Sequence, residues 1–254
     1  YWRIIRINGD GSIRMIYTGT TAPTESTKVV MTGTGTQINA TKYEFNSDGG
    51  KAEHVGYMYT LRQQHGNSTS STIKTTIENW YAGTTLKDNP LVSKDQIFCN
   101  DRSPSSTQTA AWTSTGADYY YGAYGRLNSN KTPILTCPTA SDKFTSKNST
   151  IGNGALTYPV GLITADEVAM AGGVRGYSNS SYYLYTNQYY WSGSPYYFFS
   201  NVASAGGFVV ESSGGIFTYY VYDARGARPV VSLSSEAKLS GNGTYNDVYT
   251  VSSD

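Results

Sequence analysis

The chain has 254 residues, a formal net charge of +1 and a hydrophobic content of 38%, much of it supplied by 24 tyrosines. The length suits one domain with long insertions, and the 19 basic and 18 acidic residues are scattered, which argues against nucleic acid as a partner and against an acidic tail. Apolar runs such as Pro229-Val230-Val231 are far too short to span a bilayer; with Tyr at position 1 and no leader, the sequence reads as a trimmed or mature chain, any membrane anchor lying outside it.

Residues 1–18 read as a β-hairpin. Trp2-Arg3-Ile4-Ile5-Arg6-Ile7 is rich in β-branched residues, Asn8-Gly9-Asp10-Gly11 supplies the positive-φ residues of a tight turn, and Ser12–Tyr17 returns. Residues 18–50 are Thr- and Gly-rich, with Val29-Val30-Met31 and Tyr43-Glu44-Phe45 as candidate short strands. A helix is expected near 71–82: Ser70 or Ser71 caps it, Ile73, Ile77, Trp80 and Tyr81 form one apolar stripe, and Gly83 stops it. Ile97-Phe98-Cys99 reads as a short buried strand. Residues 103–132 read as a long irregular insertion of the functional or mobile kind, and 133–154 stay irregular.

A second helix starts at Thr164, with Thr164 and Glu167 as a capping box and Gly172-Gly173 as its end. Asp166 and Glu167 resemble a catalytic carboxylate pair only superficially, since adjacent helical residues do not converge on one substrate. From 182 to 225 the composition changes to ten Tyr, four Phe and one Trp, with Glu211, Asp223 and Arg225 the only charges. Val230-Val231-Ser232-Leu233 and Val248-Tyr249-Thr250-Val251 read as the last strands. The order predicts an α+β domain spanning 1–254, two helices packed on an antiparallel sheet with long loop insertions.

Catalytic constellations are missing. Cys99 and Cys137 form no CxxC and are too few for a disulfide framework; one disulfide and two buried thiols are both open. His54 and His65 sit in polar, loop-like context with no nucleophile motif and read as surface histidines. No spacing singles out a carboxylate pair for glycoside chemistry.

Several segments together carry a family resemblance: Trp2–Gly11, Phe98-Cys99-Asn100-Asp101-Arg102, Tyr158–Glu167, Tyr190-Trp191-Ser192-Gly193-Ser194-Pro195 and Gly226-Ala227-Arg228-Pro229-Val230-Val231-Ser232-Leu233. They resemble bacterial proteins with a C-type-lectin-like, or formylglycine-generating-enzyme-like, fold, and within that group the variable proteins of diversity-generating retroelements. The resemblance implies a receptor or adhesin displayed outside the cell, on a bacterial surface or a phage particle, with a C-terminal stretch rewritten by adenine mutagenesis. It implies a protein or glycan ligand and no cofactor. Calcium, which lectin-like folds sometimes bind, has Asp10, Asp101 and Asp118 as its candidate ligands, without EF-hand-type spacing. Formylglycine-generating enzymes use cysteines late in the chain; the last one here is Cys137, which points away from that activity and from an enzyme.

Adenine mutagenesis of Asn codons gives no Lys, Glu, Gln, Met or Trp. Between Tyr190 and Arg225 only Trp191 and Glu211 break that rule, and Trp191 belongs to the Trp-Ser-x-Ser-Pro element of the resemblance. The Tyr, Ser and Gly richness of 190–225 is that of an antibody-like paratope. The expected ligand contacts are Tyr196, Tyr197, Phe199, Phe208, Phe217, Thr218, Tyr219, Tyr220, Tyr222, Asp223 and Arg225, with Phe198 and Trp191 in the core. Ile216 and Val221 differ in parity, so a turn or bulge is expected between them; Val221 inward would put Tyr220 and Tyr222 outward.

Overall fold

The structure, a computed structural model, describes residues 1–252. It is a mixed α+β fold, mostly sheet, with thirteen strands: β1 (Trp2–Ile7), β2 (Ile13–Tyr17), β3 (Met58–Tyr59), β4 (Thr69–Ser70), β5 (Phe98–Cys99), β6 (Tyr119–Tyr120), β7 (Lys143–Phe144), β8 (Tyr190–Phe199), β9 (Ser204–Val210), β10 (Ile216–Tyr220), β11 (Val230–Leu233), β12 (Lys238–Ser240) and β13 (Thr250–Ser252). The helices are α1 (Thr72–Ala82), α2 (Gly122–Tyr124), which runs on into a π-helical stretch at Gly125–Asn130, and α3 (Ala165–Met170). Two sheets dominate. One has the order β1-β2-β11 and the other β10-β9-β8-β6, with every pairing antiparallel. Among the described residues no helix is long and apolar enough to cross a membrane.

The helices form where their caps and stripes direct. Ser71 accepts the Lys74 N–H at the start of α1, and Ile73, Ile77 and Tyr81 are buried along one face. Thr164 and Glu167 close the capping box of α3. The core runs between the sheets and α1. Trp191 is sealed at its centre, edge-on to Phe45 at 5.5 Å, with its indole N–H donated to the Tyr43 carbonyl at 2.8 Å. Arg228, also sealed, lies over the Tyr190 ring and donates to the carbonyls of Tyr17 and Leu184, which links the two sheets.

Buried ion pairs fix the long connections. Arg102 pairs with Asp142 at 2.7 Å, both fully buried, and Arg126 bridges Asp101 and Asp166 at 2.7 Å each. Arg14 and Arg6 share Glu167. Cys99 and Cys137 are joined in a disulfide across a 38-residue separation.

Three expectations need correction. Val29–Met31 pairs with no strand, and Tyr43 makes only an isolated bridge to Arg225. The 103–132 insertion is not wholly irregular: it supplies β6 and α2, held by pairing to β8 and by the Arg126 ion pairs. His54 is not a surface residue; it is buried, edge-on to Tyr59, with Nδ1 3.5 Å from Asp48. His65 is partly exposed and faces Asp142 at 3.0 Å.

Candidate functional site

Register across the four-stranded sheet decides which rings face out. Directly paired residues share a face and neighbours along a strand alternate. Tyr120 pairs with Tyr197, Tyr197 with Gly206, and Gly206 with Tyr220, so one rung crosses all four strands with three tyrosines and a glycine. The glycine is required by packing: a Cβ at Gly206 would stand 2.6 Å from the Tyr197 ring. The next residues belong to the other face. Tyr119 pairs with Phe198 and Phe198 with Ala205, and all three are buried.

β8 carries an irregularity between Pro195 and Tyr197 that leaves Tyr196 without a direct partner on β9. The bulge lets consecutive tyrosines join one patch: Tyr196 meets Tyr197 at 5.0 Å, Tyr120 at 6.0 Å and Tyr124 at 5.3 Å. Tyr197 stacks on Phe199 at 4.1 Å, and Tyr220 stacks on Tyr222 at 5.2 Å. Tyr120 touches both Tyr124 and Phe199. The result is a continuous aromatic surface made by Tyr120, Tyr124, Tyr196, Phe199, Tyr220 and Tyr222, with Tyr197 at its centre beneath them. Tyr222 is 41% exposed, and Val221 points inward, fully buried.

The expected contact residues divide. Tyr196, Phe199, Tyr220 and Tyr222 lie on this surface at least partly exposed, and Thr218 sits half-buried on the same face. Phe208 is a correction. It is 0% exposed, roofed by Tyr196 at 4.9 Å, and supports the surface from beneath. Tyr197 is a second correction: at 6% exposure it is the hub under its neighbours rather than a contact, and burial raises its hydroxyl pKa.

Phe217 and Tyr219 alternate to the opposite face. There Tyr219 lies under the Arg225 guanidinium at 3.8 Å, meets Tyr189 and donates its hydroxyl to Glu211 at 2.7 Å; burial and that carboxylate push its pKa up to about 12. Asp223 accepts the Tyr220 N–H and stands 3.7 Å from Arg225. Tyr219, Asp223 and Arg225 therefore form a separate cluster at the sheet edge. No bulge separates Ile216 from Val221; β10 is regular through Tyr220 and the chain turns there. Ile216 is sealed because Gly173, just after α3, lies against it.

Three residues of this region escaped the sequence reading. Tyr120 and Tyr124 come from the 103–132 insertion, where only their residue type hinted at the surface. Arg175 stands over Tyr196, Phe208 and Phe217 at the β10 edge; a lone Arg in a Gly-rich turn gives no signal.

The other candidate chemistry is committed elsewhere. Asp10, Asp101 and Asp118 do not converge: each accepts from its own serine, Ser12, Ser103 and Ser200 respectively. Among the described residues no group of three or more His, Cys, Asp or Glu is placed to hold a metal ion. A cleft of about 380 Å³ beside the disulfide has among its lining residues Arg6, Arg14, Arg126, Asp101, Asp166 and Glu167, six charges paired with one another, together with Asp10, Asp95 and Lys143, which stand outside those pairs. Compared with known proteins, the chain matches no protein-family model, no curated protein and no solved structure.

Proposed function

We propose that this chain is an extracellular binding protein with a C-type-lectin-like fold, displayed on a bacterial or phage surface, whose 190–225 stretch is diversified by a retroelement reverse transcriptase. The observation that carries the reading is the tyrosine rung and its ring neighbours, set on a face behind which Tyr119, Phe198 and Ala205 are sealed in the core. Such rings offer large, stiff, amphipathic contacts that freeze only two torsions each on binding. A scaffold fixed by buried ion pairs, and not by the exposed rings, tolerates exchange of those rings.

Two further observations support the reading, one for diversification and one for the compartment. The residues in 190–225 that adenine mutagenesis of Asn codons does not reach are both structural. Trp191 is sealed, and Glu211 opens the turn before β10, where its carbonyl accepts the Gly214 N–H and its N–H bonds the Gly215 carbonyl. The disulfide supports an oxidising compartment.

The test is genomic. The expected finding is a near-copy of the segment encoding 190–225, adjacent to a reverse transcriptase gene and differing only at adenines. Differences should fall on codons for exposed rings such as Tyr196, Phe199, Tyr220 and Tyr222, and should spare Trp191 and Glu211. Absence of such a copy overturns diversification and leaves a fixed adhesin of the same fold.

A further inference from the structure

Arg175 lies outside 190–225, in a turn whose ends, Val174 and Tyr177, bridge each other. That turn is stitched along the edge of β10: Ile216 donates its N–H to the Val174 carbonyl at 3.0 Å, and Gly176 donates to the Ile216 carbonyl at 3.1 Å. The guanidinium thus has a backbone-fixed origin whatever side chains the strands carry. Its central carbon stands 5.4 Å from the Tyr196 ring and 5.9 Å from those of Phe208 and Phe217.

The donors of Arg175 are underused. A guanidinium has five N–H bonds in one plane. Nη1 donates to the Ile216 carbonyl at 3.3 Å and Nη2 to the Tyr196 hydroxyl at 3.4 Å, while Nε is buried with no acceptor. Ring faces attract the charge but do not fill donors lying in the guanidinium plane. Among the described residues no carboxylate lies within salt-bridge distance of Arg175, unlike Arg14, Arg102 and Arg225, which also pack on rings. Arg14 has Glu167, Arg102 has Asp142, and Arg225 has Asp223. Arg228 is completely sealed and donates to backbone carbonyls. Arg175 alone combines partial exposure, aromatic neighbours and no acid, and a planar fork of this kind suits a carboxylate.

We propose that Arg175 is the anion-recognition residue of the aromatic surface, and that the partner is a protein presenting an Asp, Glu or C-terminal carboxylate beside an apolar side chain. The proposal rests on reading that surface as a binding site. The apolar group packs on Tyr196 and the rings next to it, and the carboxylate takes the remaining N–H bonds of Nη1 and Nη2, the Nε side being buried. A glycan partner is disfavoured because the carboxylates that would grip sugar hydroxyls are already held: Asp118 by Ser200, Asp223 by the Tyr220 N–H and Glu211 by Tyr219. Since the turn, and not 190–225, places Arg175, the charge preference persists while the rings vary: a constant anchor beside a changing shape.

The experiment titrates the full chain by NMR with three probes: N-acetyl-L-phenylalanine as the carboxylate, its neutral amide, and glucuronate. At low ionic strength the carboxylate should bind about tenfold more tightly than the amide, moving the Arg175 Nε–Hε and Tyr196 signals. Arg175→Gln should abolish that preference, so that carboxylate and amide bind alike; Arg175→Lys should restore part of it. Backbone spectra of both variants show that each is folded. Equal binding of carboxylate and amide at the surface overturns the anion role and leaves the binding surface standing. Glucuronate binding as tightly as the phenylalanine derivative overturns the protein partner in favour of an acidic glycan. If neither aromatic probe perturbs the surface, the binding-surface reading falls as well.

Discussion

The two faces of the four-stranded sheet are built from nearly the same amino acids and have opposite fates. Tyr119 and Tyr120 are consecutive, as are Phe198 and Phe199, yet Tyr119 and Phe198 are sealed while Tyr120 and Phe199 reach the surface. Hydrophobicity does not separate the members of these pairs; strand register does, because side-chain direction alternates along a strand. On the inner face Tyr119 and Phe198 exclude water and set stability. On the outer face the rings of Tyr120, Phe199, Tyr220 and Tyr222 are at least partly open to water, so removing one leaves a dent in the surface and no enclosed cavity.

That contrast breaks most directly through paired substitutions. Trp191→Ala and Phe198→Ala should each destabilise by about 3–5 kcal/mol, the cost of emptying a sealed aromatic site. Phe199→Ala, one residue along, should cost about 1 kcal/mol or less. Chemical denaturation of the three variants reads the difference. A Phe199 variant as unstable as the Phe198 one would mean that the outer face is also core.

The disulfide should come close behind. It closes the 38-residue stretch that carries β6 to the sheet edge, and β6 itself is only two residues long. Cys99→Ser with Cys137→Ser should cost roughly 3–4 kcal/mol by loss of loop closure, read as a lower denaturation midpoint. Tyr120 should also become more mobile, visible as faster amide exchange at 119–120. Unchanged exchange there would show that the Arg126 ion pairs hold the insertion unaided.

On the outer face, Tyr220→Ala with Tyr222→Ala should leave stability within about 1 kcal/mol of the parent, since both rings are at least partly open to water. In the probe titrations the pair should weaken binding of the neutral amide severalfold. A stability loss comparable to that of Trp191→Ala would reassign both rings to the core.

How much of this was legible in the sequence follows from the range of each signal. The hairpin at 1–18, the capped helices and the strand at 230–233 announce themselves through local turn, cap and periodicity chemistry. The composition shift after 182 marks the region that builds the aromatic surface. Local reading fails where long-range pairing decides. The Tyr119–Tyr120 strand exists only because β8 offers it an edge, and Phe208 is indistinguishable from Phe199 until the β8 bulge puts Tyr196 above it. Burial of His54 depends on Tyr59 and Asp48, neighbours that polarity alone does not disclose.

His54 offers the finest test of how the two faces communicate. Burial lowers its pKa below the ordinary 6.5, with Asp48 and Glu53 offsetting part of the effect. The unfolded chain therefore binds the proton more readily than the native one. The stabilisation from keeping the imidazole neutral is complete above about pH 6.5 and is lost as pH falls through the native value. Asp48 belongs to the same loop as Gly49, which lies so close to Tyr222 that a Cβ there would stand 2.7 Å from the ring. Acidification should thus lower the melting temperature and loosen the support of the outermost exposed ring together. His54→Gln should flatten the decline in melting temperature between pH 7 and 5. A variant with the parent's pH slope would place the acid sensitivity in the buried carboxylates and uncouple the loop from Tyr222.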